Sequence, residues 1–139
     1  MAARLRVLFD LDVLLDVLQR REPFYTMSAR VLASAESGAI EGWAAAHSFT
    51  TLFYLLAKYH STQEARVVLT DLLTFLSVAA VDQTVIEQAL NLPYGDFEDA
   101  VQMMSAVRAG ACYLVTRNVA DYQAGPLPAI QPAELVTLI

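Results

Sequence analysis

The 139-residue chain holds one cysteine, one lysine, two histidines and one tryptophan, and each scarcity excludes something. A lone cysteine, Cys112, rules out an internal disulfide and a thiolate-built zinc site. It stands in the apolar run "ACYLV", where a small core residue is expected. No apolar run approaches the roughly 18–20 residues of a membrane span. The opening "MAARLRVLFDLD" reaches an aspartate too soon for the apolar core of a secretion signal, so a cytoplasmic location is expected. Charged residues are only 17% of the chain against 56% hydrophobic ones, a balance that disordered chains do not have. Basic residues are few, and the formal charge is −6. Bulk electrostatics therefore do not favour nucleic acid, unless a cation or a local arginine patch offsets the repulsion. The length suits one domain, residues 1–139, burying about two thirds of its unfolded surface.

What is present alternates between strand and helix patterns. "RLRVLF" (4–9) reads as a strand ending at Asp10, and "DVLLDVLQRR" (12–21) as a helix before Pro23. A second helix over 23–38 is stopped by Gly38 in the C′ position. A buried strand at 39–45 precedes helices at 48–60 and 62–76, joined at a corner capped by Ser61 or Thr62. A strand at 77–81 leads to a helix at 82–92 with Asp82 as its cap. A helix at 96–110 closes on Gly110, and the apolar strand 111–116 follows. "PAI" gives a fifth short strand, and Pro132 opens a last helix. Strands alternating with helices predict an α/β domain, a central parallel sheet of four to five short strands between helical layers. Ligands in such sheets bind beyond the carboxyl ends of the strands.

Three polar clusters fall at such ends. In "VLFDLDVLLD" (7–16), Asp12 is placed to cap the following helix, and Asp16 to form a surface pair with Arg20 at i+4. Asp10 lies between Phe9 and Leu11, where an idle charge is costly to desolvate, so a functional role is expected of it. In "GDFEDAVQMM" (95–104), Asp96 suits a helix cap, Asp99 borders the apolar stripe and Glu98 faces solvent. In "VTRNVADY" (115–122), Arg117, Asn118 and Asp121 follow a buried strand. Carboxylates converging without a cation would raise one another's pKa. Oxygen ligands without histidine or cysteine suit Mg²⁺ or Mn²⁺.

Two family resemblances compete for these residues. The strand followed by Asp10-x-Asp12 is similar to the opening of haloacid dehalogenase phosphatases, which would make Asp10 a phosphoryl acceptor. That family continues with Gly-Thr where Val13-Leu14 stands here, and it leaves "VTRNVADY" unexplained. The order "LFDLDVLLDVLQRREPF", then "DFEDAVQMMSAVRAGACYLVTRNVADY", then a proline and a short helix resembles a PIN domain over almost the whole chain. The likeness is to the branch reading Asp-Phe-Glu-Asp-Ala and Thr-Arg-Asn-x-x-Asp. It implies a three-layer α/β/α ribonuclease using Mg²⁺ or Mn²⁺, of the kind found as toxins in VapBC-type toxin–antitoxin pairs.

Carried over, the resemblance makes Asp10, Asp99 and Asp121 catalytic and metal-binding, with Asp96 an added ligand. Asp12, Thr51, Arg117 and Asn118 become candidates for support or substrate contact. Arg117 would touch substrate phosphate or neutralise Asp121. One departure stands out: PIN nucleases usually carry a glutamate on the helix after the second strand. Here no carboxylate occurs from Gly42 to Ser61, and Thr51, or Thr50, takes the position. A weakened RNA- or protein-binding module is therefore the competing reading. His47 and His60, flanking that helix, read as ordinary core or surface residues. Apolar stretches at "FYTMSARVLASA" and "TLFYLLAKYH" suit plain core, a homodimer or an antitoxin groove.

Overall fold

The structure is a computed structural model and describes residues 4–139; the first three residues of the segment read above for a leader lie outside them. Five strands form one all-parallel sheet: β1 Arg6–Phe9, β2 Glu41–Ala45, β3 Leu76–Ala79, β4 Tyr113–Val115 and β5 Ala129–Ile130. Their order is β3-β2-β1-β4-β5, with β1 in the centre. The chain leaves β1 toward β2 on one side and returns to β4 on the other. The order therefore reverses between β1 and β4, which opens a crevice at their carboxyl ends. In register, Leu8 pairs with Trp43 on one side and Leu114 on the other.

Alternation along β1 divides the core. Val7 and Phe9 point to the layer formed by α1 (Leu11–Leu18), α2 (Tyr25–Glu36), α3 (Ala46–Tyr59) and α4 (Thr62–Leu72). Leu8 points the other way, with Leu114, onto Met103 and Ala106 of α6 (Phe97–Ala109). On that side α5 (Gln83–Ala89) packs on α6 through Val85, Ala89, Val101 and Met104. A terminal helix, α7 (Pro132–Val136), buries Leu135 in the first layer. Gly42 is where the layers press closest: an added Cβ would lie 2.7 Å from Leu76 and 2.9 Å from both Ala35 and Phe9.

Local signals account for most element ends. Ser61 and Asp82 cap α4 and α5 by accepting the backbone N–H of Glu64 and Val85, both at 3.0 Å. Gly38 and Gly110 follow α2 and α6 at φ of 86° and 76°, the left-handed region that a side chain disfavours. Three expectations are corrected. Helix α1 begins at Leu11 with Asp10 as its N-cap residue, so Asp12 sits inside the first turn and caps nothing. Asp16 is fully buried rather than paired with Arg20 on the surface, because α1 turns that face under the loop after β4. Cys112 is exposed: β4 starts only at Tyr113, and the residue before it stays outside the sheet.

Candidate active site

Asp10 ends β1 at the crevice and is only 4% exposed. Its backbone N–H donates to the Val115 carbonyl at 2.9 Å, tying the ends of β1 and β4 together. Both side-chain oxygens are oriented by donors: Gln102 Nε2 reaches Oδ1 at 2.9 Å, and Thr116 Oγ1 reaches Oδ2 at 2.7 Å. Each oxygen keeps a further lone pair. Burial pushes this carboxyl above its ordinary pKa, with Gln102 and Thr116 opposing the rise.

The same Gln102 amide also donates to the Tyr122 hydroxyl at 3.1 Å, which in turn donates to Asp99 Oδ1 at 2.9 Å. A buried chain of side chains therefore runs from Asp10 through Gln102 and Tyr122 to Asp99. Asp99 is half-buried on the first turn of α6. Its pKa is pushed up to about 6, first by burial and then by the like charges of Asp96, Asp10 and Asp121, against the lowering by Tyr122. Those three carboxylates reach it because they stand at the same end of the sheet. Asp96, Asp99 and Asp121 line one cavity of about 470 Å³, together with Tyr94, Gly95 and Gln123. Asp96 is also the N-cap of α6, accepting from the backbone of Glu98 at 2.8 Å and Asp99 at 3.3 Å. Asp121 is exposed on a short 3₁₀ turn, Val119–Tyr122, whose other end buries the Tyr122 ring. That ring meets Tyr94 edge-on, with centroids 5.9 Å apart.

A second group lies beside the first. Arg117 does not reach Asp121. Its Nε is 3.4 Å from Asp16 and its Nη2 is 3.9 Å from Asp12, and its guanidinium lies over the Phe24 ring at 4.2 Å. Arg21 approaches the same two acids at 3.9 and 4.0 Å. Asn118 donates to Asp12 at 3.4 Å, while its backbone N–H is held by Thr116 Oγ1 at 3.0 Å. Burial raises the Asp16 pKa, and the charges of Arg117 and Arg21 oppose that rise. Asp12 thus belongs to an ionic cluster bordering the site, not to the cavity wall.

Thr51 is half-buried on α3, and its hydroxyl forms no hydrogen bond among the described residues; the Thr50 hydroxyl turns back to the His47 carbonyl at 2.8 Å. Neither threonine joins the acid network. The polar partners that do, Gln102, Thr116 and Tyr122, were not singled out from the sequence. Gln102 carried a signal: it lies three residues after Asp99, on the same helix face. Among the described residues no three histidine, cysteine or acidic side chains group as a ready-made cation cage. The donor chemistry nevertheless fits a hard cation. The acids offer only oxygen, they repel one another, and Asp99 and Asp121 face open space. The resemblance to haloacid dehalogenases, whose late Gly-Asp motif ends an apolar strand, fails here, because the similar Gly95-Asp96 opens a helix and ends no strand.

A parallel sheet whose strand order reverses at an acid-lined crevice defines a three-layer α/β/α domain. Residues 6–120 match the family model of the PIN domain, and the chain belongs to that family. Among solved structures, the chain is similar to one from a toxin–antitoxin complex of Klebsiella pneumoniae. The TM-score is 0.69 at 22% identity, covering 91% of this chain and 97% of that one. It is also similar to a chain of VapBC2 from Rickettsia felis bound to a promoter DNA fragment, with a TM-score of 0.67 and 14% identity over 91% and 98% of the two chains. VapC20 of Mycobacterium tuberculosis, a toxin that cleaves the sarcin–ricin loop, gives 0.61 and 16% over 78% and 86%. At these identities the likenesses speak to the fold. No curated protein matched the sequence. No helix among the described residues is long and apolar enough to cross a membrane.

Proposed function

We propose that this PIN domain is a metal-dependent endoribonuclease and the toxin of a toxin–antitoxin pair. The observation that carries the reading is the hydrogen-bonded chain from Asp10 through Gln102 and Tyr122 to Asp99, which shares one cavity with Asp96 and Asp121; burial first, and the like charges of Asp96, Asp10 and Asp121 after it, raise Asp99. Asp10, Asp99 and Asp121 would hold Mg²⁺ or Mn²⁺, with Asp96 beside them. When bound, the ion neutralises the phosphodiester and lowers the pKa of the attacking water. The chain's own groups prepare that site. Gln102 and Thr116 fix the Asp10 carboxylate, Tyr122 fixes one oxygen of Asp99, and the α6 cap keeps Asp96 at the rim. Arg117, held by Asp16 and Asp12, keeps the loop carrying Asn118 and Asp121 against α1.

The toxin reading draws on the structural neighbours, which include toxin–antitoxin complexes and a toxin that cleaves the sarcin–ricin loop. An antitoxin or a second copy of the chain would find apolar surface at Phe24, just before α2, at Met27 on α2, and at Tyr54 and Tyr59 on α3, all exposed. A second reading, a PIN domain that binds RNA or protein without cutting it, is favoured by the absence of an acid from α3. The deciding experiment measures cleavage of a single-stranded RNA panel with and without added Mn²⁺, for the unaltered chain and for Asp10→Asn and Asp99→Asn. The nuclease reading expects metal-dependent cleavage lost by at least about 100-fold in both variants, a barrier change of about 2.7 kcal/mol. Cleavage that survives both substitutions defeats it. Absence of Mn²⁺ binding by a folded chain selects the second reading.

A further inference from the structure

The side of α3 nearest the acids lacks a carboxylate but still carries a polar group. His47 occupies the first turn of α3, two residues beyond the end of β2. Because β2 is hydrogen-bonded to β1, with Trp43 abreast of Leu8, the chain just past Ala45 emerges beside Asp10 at the same end of the sheet. Its backbone is held there: Thr50 Oγ1 donates to the His47 carbonyl at 2.8 Å, and the next residue, Ser48, is buried.

The imidazole is half-buried, with Nδ1 closed off from solvent and without a hydrogen-bond partner. Two carboxylates act on the ring, Glu98 from the start of α6 and Asp10 from the end of β1. Burial outweighs their pull and holds the ring below the ordinary histidine pKa, so it is neutral at neutral pH. A neutral imidazole has one proton to place. Nδ1 is buried without a partner whether or not it carries that proton, so it can serve no ligand. A proton on Nε2, the nitrogen that is not closed off, can be donated to another molecule.

We propose that His47 contacts the substrate, its Nε2–H donating a hydrogen bond to a phosphate oxygen of the bound RNA strand, one helical turn before Thr51, the position on α3 where the acid is missing. This rests on the nuclease reading above. A neutral donor suits the position, since it attracts the phosphodiester without competing for the ion that the carboxylates would hold.

The test compares the full-length chain with His47→Ala and His47→Asn, the second of which keeps an N–H donor. Three quantities are measured: Mn²⁺ affinity by calorimetry, affinity for a short single-stranded RNA by fluorescence anisotropy with Ca²⁺ in place of Mn²⁺, and steady-state cleavage with Mn²⁺. His47→Ala is expected to weaken RNA binding and raise KM about 10-fold, with Mn²⁺ affinity and Tm unchanged and partial recovery in His47→Asn. Unchanged RNA affinity in His47→Ala overturns the proposal. So does a fall in Mn²⁺ affinity, which would make the ring a metal ligand, or an asparagine variant no better than alanine. If His47→Ala does not fold, the comparison of His47→Asn with His47→Leu decides on the same criteria. An unaltered chain that neither binds nor cuts RNA removes the nuclease reading itself, a result distinct from a variant that matches a fully active parent.

Discussion

Replacing Asp99 with asparagine should make the metal-free protein more stable while removing the activity proposed for it. In the folded chain Asp99 is half-buried among Asp10, Asp96 and Asp121, and its pKa is about 6 against an ordinary 3.8. A raised carboxyl pKa means that the folded state binds the proton more tightly than the unfolded state does. Ionising the group therefore costs stability, progressively as pH rises from about 4 to about 6, and the full cost is present above that window. The shift of about 2 units sets a ceiling of about 3 kcal/mol at roughly 1.36 kcal/mol per unit. Asp99 opens onto a solvent-filled cavity, so screening brings the expected gain to about 1–2 kcal/mol. Asparagine keeps the oxygen that accepts from Tyr122 and removes the charge. Urea unfolding in EDTA should show Asp99→Asn more stable than the parent by that amount at pH 8, with the difference vanishing near pH 3.5. At roughly 3–5 °C per kcal/mol for a chain of this size, Tm should rise by about 3–10 °C at pH 8. Equal stability at pH 8, or a gain that persists unchanged at pH 3.5, would show that neither burial nor neighbouring acids raise Asp99 and would refute the placing of this carboxyl on which the site rests.

Three further outcomes follow from other contacts. Tyr122→Phe keeps the buried ring but breaks the link from Gln102 to Asp99, so the Asp99 pKa should climb above about 6 and Mn²⁺ binding should need higher pH; NMR titration of the carboxyl and calorimetry check this. Arg117→Met removes the closest cation from fully buried Asp16, and urea unfolding should show a loss of about 3 kcal/mol, whereas a loss under 0.5 kcal/mol would make that pair dispensable. Gly42→Ala forces a methyl to within 2.7–2.9 Å of Leu76, Ala35 and Phe9, and should cost about 1–3 kcal/mol with no change in Mn²⁺ affinity, measured by unfolding and calorimetry in parallel.

Much of this architecture was legible from period and punctuation. Alternating strand and helix patterns gave the parallel sheet, and Ser61, Asp82, Asp96, Gly38 and Gly110 marked ends that depend only on neighbours in sequence. Asp10 stood out because a charge between Phe9 and Leu11 lacked a cheap explanation, and Asp99 because it bordered an apolar stripe. The misreadings share one cause. Asp16 and Arg20 are four residues apart, which on an isolated helix suggests a surface pair, yet the loop after β4 covers that face and supplies Arg117 instead. Of the two roles read for Arg117, contact with substrate phosphate or neutralisation of Asp121, the second fails for the same reason, since its guanidinium turns the other way, over Phe24.

The order of elements, the candidate acids and most helix ends were thus legible in local sequence, since periodicity, capping and desolvation cost act over a few residues. The pairing of those acids was decided only by the fold. Asp10 and Gln102 lie 92 positions apart, and Thr116 is 106 positions from Asp10. They meet because the sheet places β4 beside β1, with α6 packed across Leu8 and Leu114. Side chains so distant along the chain leave no periodic trace of their contact, and it is chiefly burial at the strand end that raises the pKa of Asp10.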